Sequence, residues 1–272
     1  MADIKKISLA GVFVAGLLAA AVPAVAQEHE GPSPTRQSWT FSGPFGTFDR
    51  AQLQRGFKVY REVCSNCHSM TRVAFRTLSE EGGPEFSEAQ VKALAAEYKV
   101  KDGPDDKGEM FERPGRASDY IPAPFPNPEA ARAALGAAPP DMSVLAKARS
   151  YSRGFPMFLF DAVIQYQEHG ADYINAILNG YTNKSDANYN EYFPGHKIAM
   201  AKPLSDGQVE YTDGSPATVQ QYAKDVSSFL MWTAEPSLEK RKKTGFRVMV
   251  FLILFAGLLY FTKKKVWADV AH

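Results

Sequence analysis

Cysteine is nearly missing from this sequence: its 272 residues hold two, Cys64 and Cys67, which excludes a scaffold of several disulfides. Histidine is also scarce, five in all, and leaves little material for a multi-ligand zinc site. No internal repeat is present, and the long apolar runs lie near the two ends. Basic charge is short in the middle of the chain. The total is 31 Lys+Arg against 30 Asp+Glu, but residues 27–238 carry 21 bases and 27 acids, a net charge of −6. A segment that acidic argues against a nucleic-acid partner, because phosphate contacts need a basic patch. What is there is 45% apolar residues, ample for a packed core and too many for a disordered or collagen-like chain.

The two ends read differently. Lys5-Lys6, a 15-residue apolar run from Ile7 to Ala21, Pro23 and then Ala24-Val25-Ala26 make a secretory signal peptide, with cleavage expected after Ala26. A first transmembrane helix is the alternative, but the run is short and rich in Ala and Gly. Val248–Phe261 is a second apolar run of 14 residues, short of the roughly 20 that cross a hydrocarbon core. Extended from Thr244 to Thr262 it reaches 19, with Arg247 and the flanking lysines able to snorkel and Trp267 at an interfacial position. Basic clusters at 240–243 and 263–265 fit a buried core helix poorly. The expected organisation is a signal peptide over 1–26, an exported domain over 27–238, and a C-terminal anchor with a short cytoplasmic tail over 239–272. Positive-inside counting alone would reverse the orientation, with five bases before the span and three after it. Export overrides that count, since large domains translocate largely regardless of charge.

Between the ends, helical patterns dominate. Thr47-Phe48-Asp49 offers an N-cap to a helix with Leu53, Phe57 and Tyr60 on one stripe, ending near Val63. Ser87–Tyr98 predicts a second helix, with Val91, Leu94 and Ala95 on its buried face. From Lys101 to Pro140, proline and glycine break every pattern, so an extended connector is expected, interrupted by a short Ala-rich helix opened by Asn127-Pro128. Pro156–Gln167 and Asp172–Asn179 predict two more helices, the latter closed by Gly180. Residues 181–203 read as irregular around a Pro194-Gly195 turn. Asp206-Gly207, between Leu204 and Val209-Glu210-Tyr211, predicts a small β-hairpin. Ser215-Pro216 is expected to cap a last helix carrying Val219, Tyr222, Val226, Phe229 and Leu230. The fold class is mainly α with long loops.

Both cysteines fall in one motif, Cys64-Ser65-Asn66-Cys67-His68. This is the attachment pattern of a c-type haem: each thiol adds to a vinyl group, and the adjacent imidazole reaches the iron as proximal ligand. A thioredoxin-like pair would need βαβ surroundings, and these read helical. Zinc would need further Cys/His pairs, and His29, His169, His196 and His272 are not suitably spaced. A bare disulfide at i, i+3 would not require His68. For a sixth ligand, Met249 lies in the apolar run, Met70 is too near His68, and Met231 sits on the last helix. Met200 follows Tyr192-Phe193-Pro194-Gly195 in a non-helical segment that can lay a side chain along a ring. His196 competes from four residues earlier, and residue logic leaves both open.

Longer blocks carry more. Trp39 to Met70, with Gln54-Arg55-Gly56-Phe57-Lys58-Val59-Tyr60 leading into the motif, is the first. Gly108-Glu109-Met110-Phe111, Arg113-Pro114-Gly115, Asp119-Tyr120 and Pro139-Pro140-Asp141-Met142-Ser143 through Ala148-Arg149 follow. Tyr192-Phe193-Pro194-Gly195, Ile198-Ala199-Met200, Asp213-Gly214-Ser215-Pro216-Ala217-Thr218 and Ala223-Lys224-Asp225-Val226 complete the series. In this order they resemble the cytochrome c1 family of the quinol–cytochrome c oxidoreductase (bc1) complex.

That resemblance implies a class I c-type cytochrome fold with long loop insertions, plus one C-terminal transmembrane helix. It implies one covalent haem c on Cys64 and Cys67, with His68 and Met200 as axial ligands, Arg149 neutralising a propionate and Pro140 packed against the ring. It further implies single-electron transfer from a Rieske iron–sulfur protein to a soluble or membrane-tethered cytochrome c. The setting is a dimeric complex beside cytochrome b in the bacterial inner (cytoplasmic) membrane, haem domain on the periplasmic side, serving respiratory or photosynthetic electron transport. Catalysis belongs to the whole complex, and this chain is its electron-transfer subunit. Residues 150–172 read as an insertion. Some bacterial relatives brace the region before the axial Met with an extra disulfide that two cysteines cannot supply here, so Phe155, Phe158 and Phe160 are expected to pack in its place. Residues 80–119, with 11 acids and six bases, are expected to help steer a basic partner.

Overall fold

Asp49 opens the first helix. Its carboxylate accepts from the Gln52 N–H, and the helix runs Arg50–Glu62 with Leu53, Gly56, Phe57, Val59 and Tyr60 on its buried stripe. The structure is a computed structural model and describes residues 32–151, 153–164, 166–182 and 188–269. The leader expected over 1–26 lies outside the described residues. In chain order the helices are α1 (Arg50–Glu62), α2 (Glu88–Ala96), α3 (Pro128–Leu135), α4 (Leu145–Ala148), α5 (Met157–Ile164), α6 (His169–Asn179), α7 (Val219–Ala234) and α8 (Leu238–Val266). Strands β1 (Lys99–Asp102) and β2 (Phe111–Pro114) form an antiparallel pair, with Lys99 opposite Pro114 and Asp102 opposite Phe111. The mainly α class is as expected.

The core is organised on α7. Tyr222, Val226, Phe229 and Leu230 are buried on it, and α1, α4 and α6 all pack against it. Gly56 makes the tightest of these crossings possible: a Cβ there would stand 2.2 Å from the Asp225 carbonyl oxygen and 2.6 Å from the Phe229 Cβ. The buried Asp225 carboxylate then closes the crossing, accepting from Arg55 Nε at 2.9 Å, Gln221 Nε2 at 2.9 Å and Gln52 Nε2 at 3.2 Å. Arg55 reaches Asp213 as well, at 2.7 Å, and so ties the 211–213 loop to the same joint. A second close crossing brings α6 onto α4, where a Cβ on Gly170 would meet the Ala146 carbonyl oxygen at 1.5 Å.

Two local expectations change. Asp206-Gly207 turns the chain, but no strands flank it. Gly207 N–H donates to the Ala217 carbonyl (2.8 Å), Val209 N–H donates to the Tyr222 hydroxyl (3.1 Å), and that hydroxyl donates to the Val209 carbonyl (2.5 Å). These bonds tie the segment to α7 and the run entering it, where a hairpin would have paired it with a second strand. The hairpin pair lies instead at 99–114, inside the supposed connector, where Arg113 links Asp102 to Asp119. Ser215 does not cap α7: the Thr218 hydroxyl accepts from Gln221 N–H, while Asp206 accepts from Val219 N–H at 2.7 Å. Gly180 closes α6 as expected, its N–H returning to the Ile177 carbonyl, at an ordinary φ of −82°. Space is what selects glycine there, since a Cβ would lie 2.8 Å from the Tyr192 ring and 2.9 Å from Asn190 Oδ1.

Helix α8 has 29 residues, about 43 Å at 1.5 Å per residue. It is long and apolar enough to cross a membrane, and none of its most apolar 18-residue stretch is buried against the rest of the protein. A core helix would be covered; this one is bare.

Gly56→Ala tests the α1–α7 crossing. Forcing a methyl against that backbone is expected to cost about 1–3 kcal/mol, read as a lower midpoint in denaturant or thermal unfolding. A midpoint unchanged from the parent contradicts the crossing.

Candidate functional site

The Cys64–His68 motif follows directly from the end of α1. Val63 closes the helix, and residues Cys64–Asn66 form a single 3-10 turn. Cys67 N–H and His68 N–H both return to the Cys64 carbonyl, at 3.1 and 2.9 Å. The five residues are thereby wound into one closed turn, which places two thiols and an imidazole on a short arc. The thiols are not joined to each other. Burial, with the neighbouring Cys67 adding to it, pushes the Cys64 thiol up to about 12, so it is a protonated thiol at neutral pH.

His68 is buried and faces a backbone carbonyl. Its Nδ1 lies 2.9 Å from the Pro140 carbonyl oxygen, so Nδ1 carries the proton and donates. Burial pushes the imidazole below its usual value despite that hydrogen bond and the nearby Asp141 charge. The ring is neutral with the Nε2 lone pair available, the tautomer a metal-ligating histidine uses.

The Pro140 carbonyl is held in place by Asp141. One carboxylate oxygen accepts from Ser69 Oγ (2.8 Å), Thr71 N–H (2.9 Å) and Thr71 Oγ1 (2.9 Å). The other accepts from Ser143 N–H at 2.8 Å. Met142 N–H adds a backbone bond to Ser69 O at 2.8 Å. Burial opposes ionisation of Asp141, but the bonds from Ser143, Thr71 and Ser69 outweigh it and hold the carboxyl at about 2. Sequence reasoning quoted Asp141 within a block and assigned it no role. A signal was present: Asp two residues before Ser is a side-chain-to-backbone turn pattern.

Met200 lies where two apolar clusters meet. It is half-buried and packs against both the main core and a smaller cluster of Tyr151, Tyr173, Ile177 and Ile198. Cys64 lies on the rim of that same main core. Tyr181 OH donates to the Met200 carbonyl at 2.9 Å. The loop before Met200 is pinned by the fully buried Asn190, whose amide donates to Ile177 O at 2.7 Å and whose oxygen accepts from Tyr192 N–H at 3.1 Å. His196 is engaged inside this loop: its ring stacks on Tyr189 at 5.3 Å and its Nδ1 lies 3.3 Å from the Asn190 carbonyl. Tyr181 and Asn190 were not singled out from sequence, because their roles are made by contacts between segments.

Arg149 ends α4 exposed, takes no ion pair among the described residues, and lies close enough to Tyr173 for its charge to act on that phenol. Pro140 is exposed at its ring while its carbonyl is taken by His68. The bracing expected from Phe155, Phe158 and Phe160 does not occur; they are 81%, 51% and 57% exposed. Polar and aromatic groups brace this segment instead. Tyr166 OH donates to Asp172 and meets the Tyr151 hydroxyl at 3.2 Å, and Arg153 pairs with Asp161. Asp172, buried at the start of α6, also accepts from Trp39 Nε1 (2.8 Å) and Gln37 N–H (2.9 Å). Shape alone did not suit three phenylalanines when a buried carboxylate needed donors.

Two thiols and a lone-pair-bearing imidazole on one turn, in a chain that also offers a half-buried methionine and an arginine with no ion pair among the described residues, are donors of the kind that fit haem. The class these features define, on a mainly helical frame with one bare apolar helix, is the haem-carrying cytochromes. Residues 39–270 match the model of the Cytochrome C1 family, and the chain belongs to that family. Cytochrome b/c1 of Bradyrhizobium diazoefficiens is 62% identical over 254 residues, 90% of this chain and 37% of that relative, so the chain spans little more than a third of its length. Cytochrome c1 of Blastochloris viridis is 48% identical over 273 residues, 97% of this chain and 95% of the relative. A mitochondrial relative from Saccharomyces cerevisiae, named cytochrome c1, heme protein, is 44% identical over 242 residues, 86% of this chain and 72% of its own.

Asp141→Asn tests the brace on Pro140. The folded carboxyl lies at about 2, below its ordinary 3.8, so its stabilisation is full above the ordinary value and is lost as pH falls through the folded one. With screening for a half-exposed group, the variant is expected to be about 1 kcal/mol less stable at pH 7. The gap to the parent closes between about pH 4 and pH 2 in acid unfolding followed by circular dichroism. Parallel curves for the two proteins contradict the brace.

Proposed function

We propose that this chain is the haem-bearing electron-transfer subunit of a quinol–cytochrome c oxidoreductase complex. In this reading it takes single electrons from a Rieske iron–sulfur protein and passes them to a soluble or membrane-tethered cytochrome c. The observation that carries it is His68: a buried neutral imidazole, Nδ1–H on the Pro140 carbonyl, immediately after two thiols on one turn. Cys64 and Cys67 are the attachment thiols for a single haem c, and His68 and Met200 the axial ligands. The engagement of His196 with Tyr189 supports Met200 over its neighbour. Haem supplies a one-electron iron couple when bound, and catalysis of quinol oxidation belongs to the whole complex.

The chain's own residues do the rest. His68 keeps its lone pair aimed by donating its other ring proton, and the Asp141 brace fixes the acceptor of that proton. The Tyr181 hydroxyl anchors the Met200 backbone. Arg149, which takes no ion pair among the described residues, is available for a propionate, and the exposed Pro140 ring is available to pack against the group. The two apolar clusters behind Met200 keep water from that side. Residues 1–26 direct export, α8 anchors the chain beside cytochrome b in a bacterial inner membrane, and residues 27–238 lie on the periplasmic side in a dimeric complex.

Among the 11 acids of residues 80–119, six are drawn into ion pairs with Arg50, Arg61, Lys92, Lys99 or Arg113. Glu80, Glu81, Asp105, Asp106 and Glu109 are exposed and take no ion pair among the described residues, so steering of a basic partner falls to them.

A redox spectrum of the protein from its native membrane tests the site. Thioether-bound haem, a methionine–iron charge-transfer band and no carbon monoxide binding are expected. Met200→Leu removes the band, lowers the potential and opens the reduced protein to carbon monoxide. Lack of a thioether-linked chromophore, or carbon monoxide binding by the parent, overturns the reading. The steering role is checked by reduction of a basic cytochrome c at rising ionic strength. The rate is expected to fall, and to fall less after neutralising Asp105, Asp106 and Glu109; a rate indifferent to salt contradicts it.

A further inference from the structure

At the foot of α8, where the domain meets the bare apolar helix, lies a cavity of about 260 Å³ that the electron-transfer reading does not use. Its walls are Phe45 from the Pro44–Thr47 loop and Glu239, Lys242, Lys243, Phe246 and Arg247 from α8. The loop is clamped onto the helix at both ends. Lys242 Nζ donates to the Phe41 carbonyl (2.5 Å) and toward the Gly46 carbonyl (3.4 Å), and Phe48 N–H donates to Glu239 Oε1 (2.9 Å). The cavity is therefore built into the fold.

Its chemistry has two halves. Phe45 is 71% exposed and meets the exposed Phe246 edge-on at 5.4 Å, so two aromatic rings stand away from the core beside an apolar helix. The other half is cationic. Glu239, the one acid in the wall, is engaged by Phe48 N–H and stands 3.9 Å from Lys243. Arg247 is exposed and takes no ion pair among the described residues. It directly precedes Val248, where the uncovered apolar stretch of 14 residues begins. Cations at that height meet phosphates, and exposed aromatic rings just beside them meet the top of acyl chains.

We propose that this cavity binds one anionic phospholipid of the leaflet on the domain side. Lys243 and Arg247 hold its phosphate, and Phe45 and Phe246 line its upper acyl chain. The lipid fastens the loop that leads into α1 to the membrane surface. The inference rests on the reading of α8 as a membrane span.

The assay is native mass spectrometry of the detergent-extracted membrane assembly, washed free of loose lipid and titrated with phosphatidylglycerol or phosphatidylcholine. The parent is expected to retain one more phosphatidylglycerol than a Lys243→Gln, Arg247→Gln double variant, whose affinity falls about tenfold or more for two lost cations. Phosphatidylcholine does not substitute, and inorganic phosphate does not compete. Phe45→Ala, at an exposed position, keeps the fold and sheds the lipid faster. Equal retention by parent and double variant overturns the proposal. Displacement by inorganic phosphate overturns it in favour of a soluble-anion site, and a photo-crosslink from position 45 to another subunit overturns it in favour of a protein contact. Alkaline carbonate extraction separates the two readings. A chain that stays in the membrane while retention is unchanged sinks the lipid site alone, and a chain that is released sinks the span and the site together.

Discussion

The contact on which the structure depends is the approach of α1 to α7 at Gly56. With no side chain there, the α1 backbone comes within a methyl's reach of the Asp225 carbonyl, and Asp225 itself gathers Arg55, Gln52 and Gln221 around the crossing. Everything that bears on the site is measured from this joint. The thiols and His68 hang from the end of α1, while α4 and α6, which flank the Pro140 and Met200 segments, pack on the same α7. A shift of α1 along α7 would move one side of the site relative to the other.

Carboxylates, buried or half-buried, act as the remaining joints. Asp225, Asp141 and Asp172 each collect donors from segments far apart in the chain, and each is short enough to hold its partners close. Asp172 is the most demanding. Burial raises its pKa even against hydrogen bonds from Tyr166, Gln37 and Trp39, so these donors are needed to offset the cost of enclosing it. The outcome is that the N-terminal arm and the segment before α6 are tied to the start of α6 by polar contacts. Phe155, just before α5, and Phe158 and Phe160 on it are left exposed.

This division of labour suits a haem-carrying protein. His68 is oriented by a backbone carbonyl, that carbonyl by Asp141, and the Met200 backbone by Tyr181; none of the three depends on a long flexible side chain. Preorganisation of this kind comes from locked rotamers and supporting hydrogen bonds. The surfaces divide in the same way, with free acids on the 80–109 face and cations at the foot of α8.

Local signals were legible in the sequence. Asp49 before α1, Ser87 before α2 and Asn127-Pro128 before α3 name their helices because capping is decided within three or four residues. Cys64, Cys67 and His68 stand out because their spacing is covalent, and α8 because membrane length is written in a single run. Ser215 and the Asp206-Gly207 turn misled because the same residue types serve several purposes, and only the neighbours choose. Ser215 gives way to Thr218 and Asp206, and the turn bonds to α7 and the run entering it, while Gly180 closes its helix as expected but is selected by the space beside Tyr192. Tertiary structure alone decided that Asp141 braces Pro140, that Tyr181 holds Met200 and that Asp172 collects the segment before α6. Hydrogen bonds between segments tens of residues apart leave no periodicity for a chain to display before it folds.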